Sequence, residues 1–210
     1  MILAINNKKS TTKTKKLAIP FDLICDKKIN HGSVYLYTIL KDNIYQTNEV
    51  NIFNTKLKSK LNWKDNKTMK KYLSQLRDYG YIGYEFCNLP NKTAMQIHIR
   101  PLQNKEYYIL ITSKTLHVIL DTFNKIEPNM TDQAVRLYMY YIKNYNTEYG
   151  YAFTSYKNIK DDTGIRNENI KIINNIFRKE KIVFLQVGDR YLNEQNMNLR
   201  ERNKYQPLLW

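Results

Sequence analysis

Six glycines in 210 residues leave no glycine-rich loop of the kind that cradles phosphates. The two cysteines, Cys25 and Cys87, have neither the density of a disulfide scaffold nor the spacing of metal ligands. Three histidines, His31, His98 and His117, stand alone, with no His-x-His pair. Asp161 and Asp162 are adjacent, so on a helix they point in different directions and make a poor metal pair. No run approaches the roughly 18 apolar residues of a spanning helix. The start, MILAINNKKSTTKTKK, places a five-residue apolar patch before its charges, the reverse of a secretory leader. From these absences the chain is expected to have no catalytic residues, no metal site and no cofactor, and to be cytoplasmic without a membrane partner.

What is abundant is positive charge. Thirty-four Lys and Arg face nineteen Asp and Glu, a formal net charge of +15. A basic chain of this kind attracts polyanions, of which nucleic acid is the commonest. The excess is uneven. Residues 1–16 carry five lysines and no acid, residues 17–100 thirteen basic against seven acidic groups, and residues 121–210 fourteen against eleven. Hydrophobic content of 42% is ample for real cores, and the length suits one large domain or two of about 100 residues.

The chain repeats one plan. In HGSVYLYTILKDNIY, Val34, Tyr37, Leu40 and Ile44 recur at helical spacing, with Ser33 as cap. Leu57 and Leu61 mark a short helix, then Met69, Leu73, Leu76 and Tyr79 make one apolar face from Asn66 to Tyr79, closed by Gly80. YIGYEF and AMQIHIR read as two strands around a turn at Pro90 and Asn91. About 100 residues on, VRLY repeats VYLY. Leu57, Leu61 and Trp63 correspond to Ile159, Thr163 and Ile165, and Leu73, Leu76 and Ile82 align with Ile173, Ile176 and Ile182. In that alignment Glu180 and Lys181 replace Gly80 and Tyr81. A shorter hairpin turning at Gly188-Asp189 follows. The expected organisation is a flexible basic arm (1–16), two modules (17–104 and 105–200) and a C-terminal tail (201–210). The aromatic run from Tyr138 to Tyr151 exceeds what one small core would absorb, so part of it is expected at a dimer interface or half-buried.

Helix, short helix, turn, longer helix and β-hairpin is the order of a winged helix-turn-helix. AIPFDLICDKKINHGSVYLYTILKD followed by NTKLKSKLNWKDNKTMKKYLSQLRDYGYI resembles the amino-terminal domains of replication initiators from Gram-positive plasmids and of DnaD-type phage and plasmid replication proteins. The resemblance implies an α+β, mainly helical fold of two winged helix-turn-helix modules in tandem. It also implies sequence-specific binding of double-stranded DNA in plasmid or phage maintenance: replication initiation, partition, conjugation or transcriptional control. In such modules the second helix enters the major groove with its outward residues on bases and phosphates. Here those are Asn66, Lys67, Thr68, Lys70, Lys71, Ser74, Gln75 and Arg77, with Lys92 on the wing. In the second copy they are Asn167, Asn169, Lys171, Asn174 and Arg178, beside Glu168, which would repel a nearby phosphate unless it accepts from a cytosine amine. The competing reading is a protein-interaction scaffold that uses the same modules for homodimerisation, or to load a replication or conjugation partner protein, without reading DNA.

Overall fold

The computed structural model describes residues 14–44, 47–84, 89, 93–103, 107–186, 188, 190–192, 198–200 and 203–208. The first half runs β1 (Lys16–Pro20), α1 (Phe21–Cys25), α2 (His31–Asp42), β2 (Glu49–Ile52), α3 (Asn54–Leu61), α4 (Asn66–Asp78), β3 (Ile82–Gly83) and β4 (Met95–Ile99). The second runs β5 (Tyr108–Thr112), α5 (Ser113–Ile126), a 3-10 turn (Pro128–Met130), α6 (Thr131–Lys143), β6 (Tyr145–Asn146), β7 (Tyr151–Thr154), α7 (Tyr156–Thr163), α8 (Asn167–Lys179), β8 (Val183–Gln186), β9 (Arg190–Leu192), β10 (Asn198–Arg200) and β11 (Asn203–Pro207). The protein is α+β and mainly helical, with small antiparallel sheets.

The sheets follow from alternation. Val50 and Ile52 of β2 and Met95, Ile97 and Ile99 of β4 turn inward, while Glu49, Gln96 and His98 face out. The first sheet has the order β2-β4-β3 and the second β6-β7-β11-β8. Strands β2, β4 and β3 thus correspond to β7, β11 and β8. The stretch read from sequence as a tail supplies the central strand of the second sheet. Tyr205 pairs with Ala152 on one side and Leu185 on the other, and its ring stacks on Tyr141 at 4.2 Å. The hairpin expected to turn at Gly188-Asp189 is corrected: β8 pairs with β11, and β9 pairs with β10 in continuing register. The second hairpin is longer than the first, not shorter. Burial of Tyr205 against Tyr141 outweighs the local turn signal.

Helices α2 and α6 form the centre. Every residue from Gly32 to Leu40 is buried, and so is every residue from Ala134 to Tyr141. They pack on each other, so each lies between its own half and the other, and one contiguous core spans both. Hence Tyr138, Tyr140 and Tyr141 all point inward, while Tyr145 and Tyr151 are half-buried and Tyr149 remains 61% exposed, so the aromatic run is divided between core and surface as expected. A methyl group at Gly32 would lie 2.3 Å from the Tyr72 ring, so only glycine lets α4 approach α2 this closely.

The helix ends fix the register of the repeat. After α4, Gly80 takes φ 73° and the Tyr81 amide donates to Leu76 O at 2.8 Å. After α8, Lys181 takes φ 55° and the Ile182 amide donates to Phe177 O at 2.8 Å. Lys181 therefore occupies the place of Gly80, and the alignment of these helices shifts by one. Leu73 matches Asn174 and Leu76 matches Phe177, whereas Ile176 is only partly buried. A left-handed lysine costs about 1–2 kcal/mol, partly offset by glycine's greater chain entropy when unfolded. Lys181→Gly is expected to raise stability by about 0.5–1 kcal/mol, read as a higher denaturant midpoint at constant slope.

Two polar clusters join the halves. Lys15 donates to the carbonyls of Asp42 and Ile44, so the end of the basic arm is pinned to the end of α2. The Asp42 carboxylate also accepts from Ser113 Oγ at 2.5 Å and lies 3.0 Å from His117 Nε2. Arg136 on α6 is fully buried. Its Nε donates to Ile24 O (2.8 Å), Nη1 to Ile29 O (2.7 Å) and Nη2 to Asp26 O (2.9 Å), closing the connection between α1 and α2. Burial pulls its pKa down to about 10.

His31 Nδ1 lies 3.2 Å from Arg136 Nη1 and accepts from it, which requires a neutral ring. Burial first, and the guanidinium second, lower its pKa from 6.5 to about 4. The unfolded chain therefore takes up a proton near pH 6.5 while the folded chain does not until about pH 4. Stability is full above 6.5 and falls as pH drops to 4, by at most about 3 kcal/mol. Urea titrations from pH 7.5 to 4.5 should show this slope, and His31→Asn should flatten it.

Candidate nucleic-acid interface

The candidate interface is the segment from α3 through α4. Helix α3 ends at Asn62, whose left-handed φ of 55° turns the chain, and Leu57 and Leu61 join Met69 and Leu73 in the core. Asp65 then caps α4. Its carboxylate accepts from the Thr68 amide at 2.6 Å and the Thr68 hydroxyl at 2.9 Å, and these bonds hold it below the usual carboxylate range. Behind α4, Trp63 packs on Tyr72 (5.0 Å) and Tyr35 (6.2 Å). The helix is thus fixed at its start, along its apolar side and at its end.

Within this frame the expected residues divide. Lys67 and Lys71 are exposed, Lys71 lying over the Tyr72 ring at 5.5 Å. Lys70 and Ser74 are partly buried on the flank. Arg77 is exposed and paired with Asp78 at 2.9 Å. Asn66 Oδ1 accepts from Asn54 Nδ2 (3.1 Å) and Lys58 Nζ (2.8 Å), so it ties α4 to α3. Thr68 is engaged in the cap.

Gln75, expected to face outward, turns back to α2. Its carbonyl accepts from the Asn30 amide (2.9 Å), Asn30 Nδ2 (3.0 Å) and Ser33 Oγ (2.7 Å), and its nitrogen donates to Lys28 O (3.0 Å). Ser33 therefore does not cap α2; the cap position is Asn30, and Gln75 satisfies that helix start from 45 residues away. Gln75→Ala is expected to cost about 1 kcal/mol, because several hydrogen bonds are lost together while water reaches most of their donors; Gln75→Glu keeps the accepting oxygen but sets a second oxygen against Lys28 O, so it should recover only part of the loss, and thermal denaturation of the two variants compares them.

The second copy differs more. Glu168, Asn167, Lys171, Asn175 and Arg178 of α8 are exposed. Asn169 donates to Gln133 at 2.9 Å. Asn174 is buried at 3% exposure, so its expected outward placement is corrected: Oδ1 accepts from the Tyr141 hydroxyl at 2.8 Å, and Nδ2 has no partner among the described residues. Lys92, expected on the first wing, lies outside the described residues.

Periodicity alone misses the lysines ahead of α4. From residue 54 to 71 there are seven lysines (Lys56, Lys58, Lys60, Lys64, Lys67, Lys70 and Lys71) against one acid, Asp65. The matching span 156–172 holds four basic groups against three acids. The signal is present as the alternation KLKSKLNWK, but its weight depends on α3 and α4 being neighbours. Such a cluster raises the local concentration of a polyanion.

The three histidines are occupied structurally. His117 meets Asp42 and His31 meets Arg136, and His98 Nδ1 lies 3.8 Å from Glu49. Among the described residues no three His, Cys, Asp or Glu side chains gather as metal ligands, and no helix is long and apolar enough to cross a membrane. No protein-family model matches the chain, and no curated protein matches it.

Proposed function

We propose that the chain is a tandem winged helix-turn-helix protein that binds double-stranded DNA sequence-specifically, with α4 as its principal recognition helix. One observation carries this reading: seven lysines and a single acid lie on α3, its turn and the start of α4, and that frame is rigidly capped and packed. In this reading the exposed Lys67 and Lys71 meet the phosphates or bases of a major groove, while Asn66, Thr68 and Gln75 build the frame. The setting is the one implied by the resembling initiators, plasmid or phage DNA maintenance.

The test is a salt titration of binding to duplex DNA by the whole chain. Affinity should fall steeply with salt, and Lys67→Ala and Lys71→Ala should each reduce the slope by about one. Binding that does not respond to salt would defeat the proposal. The outer face of the β1–β5 ribbon favours the second reading, a protein-interaction scaffold. There Tyr107, Tyr108 and Leu110 are 77%, 48% and 47% exposed. In that case the same titration gives no shift on any duplex.

A further inference from the structure

Contacts between the two halves come in mirrored pairs. Strands β1 and β5, each opening its own half, pair antiparallel with Ala18 opposite Leu110 at the centre, Lys16 opposite Thr112 and Pro20 opposite Tyr108. Val34 and Tyr37 of α2 correspond to Val135 and Tyr138 of α6, so Thr38 corresponds to Met139. These two matching residues meet each other, hydroxyl oxygen to sulfur, at 3.9 Å. The left-handed Asn62 that ends α3 shares a pocket with Pro128 and Asn129, just ahead of α6. The left-handed Gly164 that ends α7 lies against Lys27, just ahead of α2, 3.6 Å from where a methyl would sit.

Residue i of one half touches j of the other, and the counterpart of j touches the counterpart of i. That reciprocity defines an isologous, two-fold contact. A head-to-tail tandem would instead bring unlike faces together. The axis passes between Ala18 and Leu110 and between Thr38 and Met139. The halves are therefore related by an approximate two-fold axis inside one chain.

Resting on the DNA-binding proposal above, we infer that a single chain reads an inverted pair of unequal half-sites, the stronger under α4 and the weaker under α8. Two readers related by a two-fold axis approach one duplex in opposite senses, so the sequences they read are inverted. Readers on one side of the duplex meet the major groove about every 10 base pairs, which sets the half-site spacing near whole helical turns. The inequality comes from the residues. Where α4 presents Lys67 and Lys71, α8 presents Glu168 and Ile172, and the surrounding span has lost most of its net positive charge. A homodimer is not needed for a near-palindromic site, since the symmetry is already within the chain.

The experiment selects from a randomised duplex library with the full chain, counts chains per selected duplex by native mass spectrometry, and footprints three variants. The expected result is one chain per duplex and two inverted protected half-sites. Lys67→Ala with Lys71→Ala should weaken binding about tenfold or more and lose protection of the stronger half. Lys171→Ala with Arg178→Ala should lose only the weaker half, and Glu168→Lys should deepen protection there. Directly repeated half-sites, one half-site alone, or two chains sharing an inverted site would each overturn the inference and leave DNA binding intact. Absence of salt-sensitive binding to every duplex would instead remove the DNA reading, and the inference with it.

Discussion

Arg136→Met is expected to cost about 3–5 kcal/mol of stability. Methionine roughly fills the volume, but it cannot donate. The carbonyls of Ile24, Asp26 and Ile29 and the ring nitrogen of His31 would lose their shared donor together. Each buried acceptor left unmet costs about 1–3 kcal/mol, reduced where water enters. Arg136→Lys keeps the charge but offers a compact head in place of a planar fork, so it should recover only part of the loss. Urea unfolding at neutral pH measures both, with an unchanged slope showing that the folded state keeps its extent. A loss below about 1 kcal/mol for Arg136→Met would mean that the connection between α1 and α2 is held by other contacts.

Lys67→Glu combined with Lys71→Glu is expected to weaken DNA binding on the order of 100-fold, since removing each lysine's interaction with a phosphate or base costs about 1–3 kcal/mol. Both side chains are exposed, so the fold should tolerate the exchange, and the thermal midpoint serves as the control. The same reversal on Lys171 should have a smaller effect, because Glu168 already opposes a phosphate nearby. Binding that survives the α4 reversal would move the interface elsewhere, with Lys56, Lys58 and Lys64 ahead of α4 the next group to reverse.

Local periodicity made much of the framework legible. Met69, Leu73 and Leu76 set the buried side of α4, and Gly80 set its end, because both are effects of residues within a turn or two of each other. Long-range pairing was not legible. Gln75 looks like any polar residue on an amphipathic helix until α2 is laid beside it, when its amide becomes the cap of that helix. Asn174 looks like a surface residue, yet it occupies a core position because Tyr141 supplies a hydroxyl to meet it. Arg136 sits in a run that reads as a buried helix, and nothing nearby in sequence announces the three carbonyls it serves. The one-residue shift between the repeats was hidden because Lys181 adopts a conformation that the sequence signals only through glycine.

The placement of β1 and β11 governs the order in which the protein can form during synthesis. β1 precedes every other strand of the chain but finds its partner only when residue 112 is made, and the second sheet lacks β11 until residue 207. Neither half is closed by contacts among its own neighbours, and such late, distant pairing slows folding. A nascent chain stopped near residue 105 would carry an unpaired strand edge, a template for association with other chains. With one contiguous core and a strand pair between them, the two halves are expected to mature together, and the repeat visible in the sequence is not expected to be a boundary at which folding pauses.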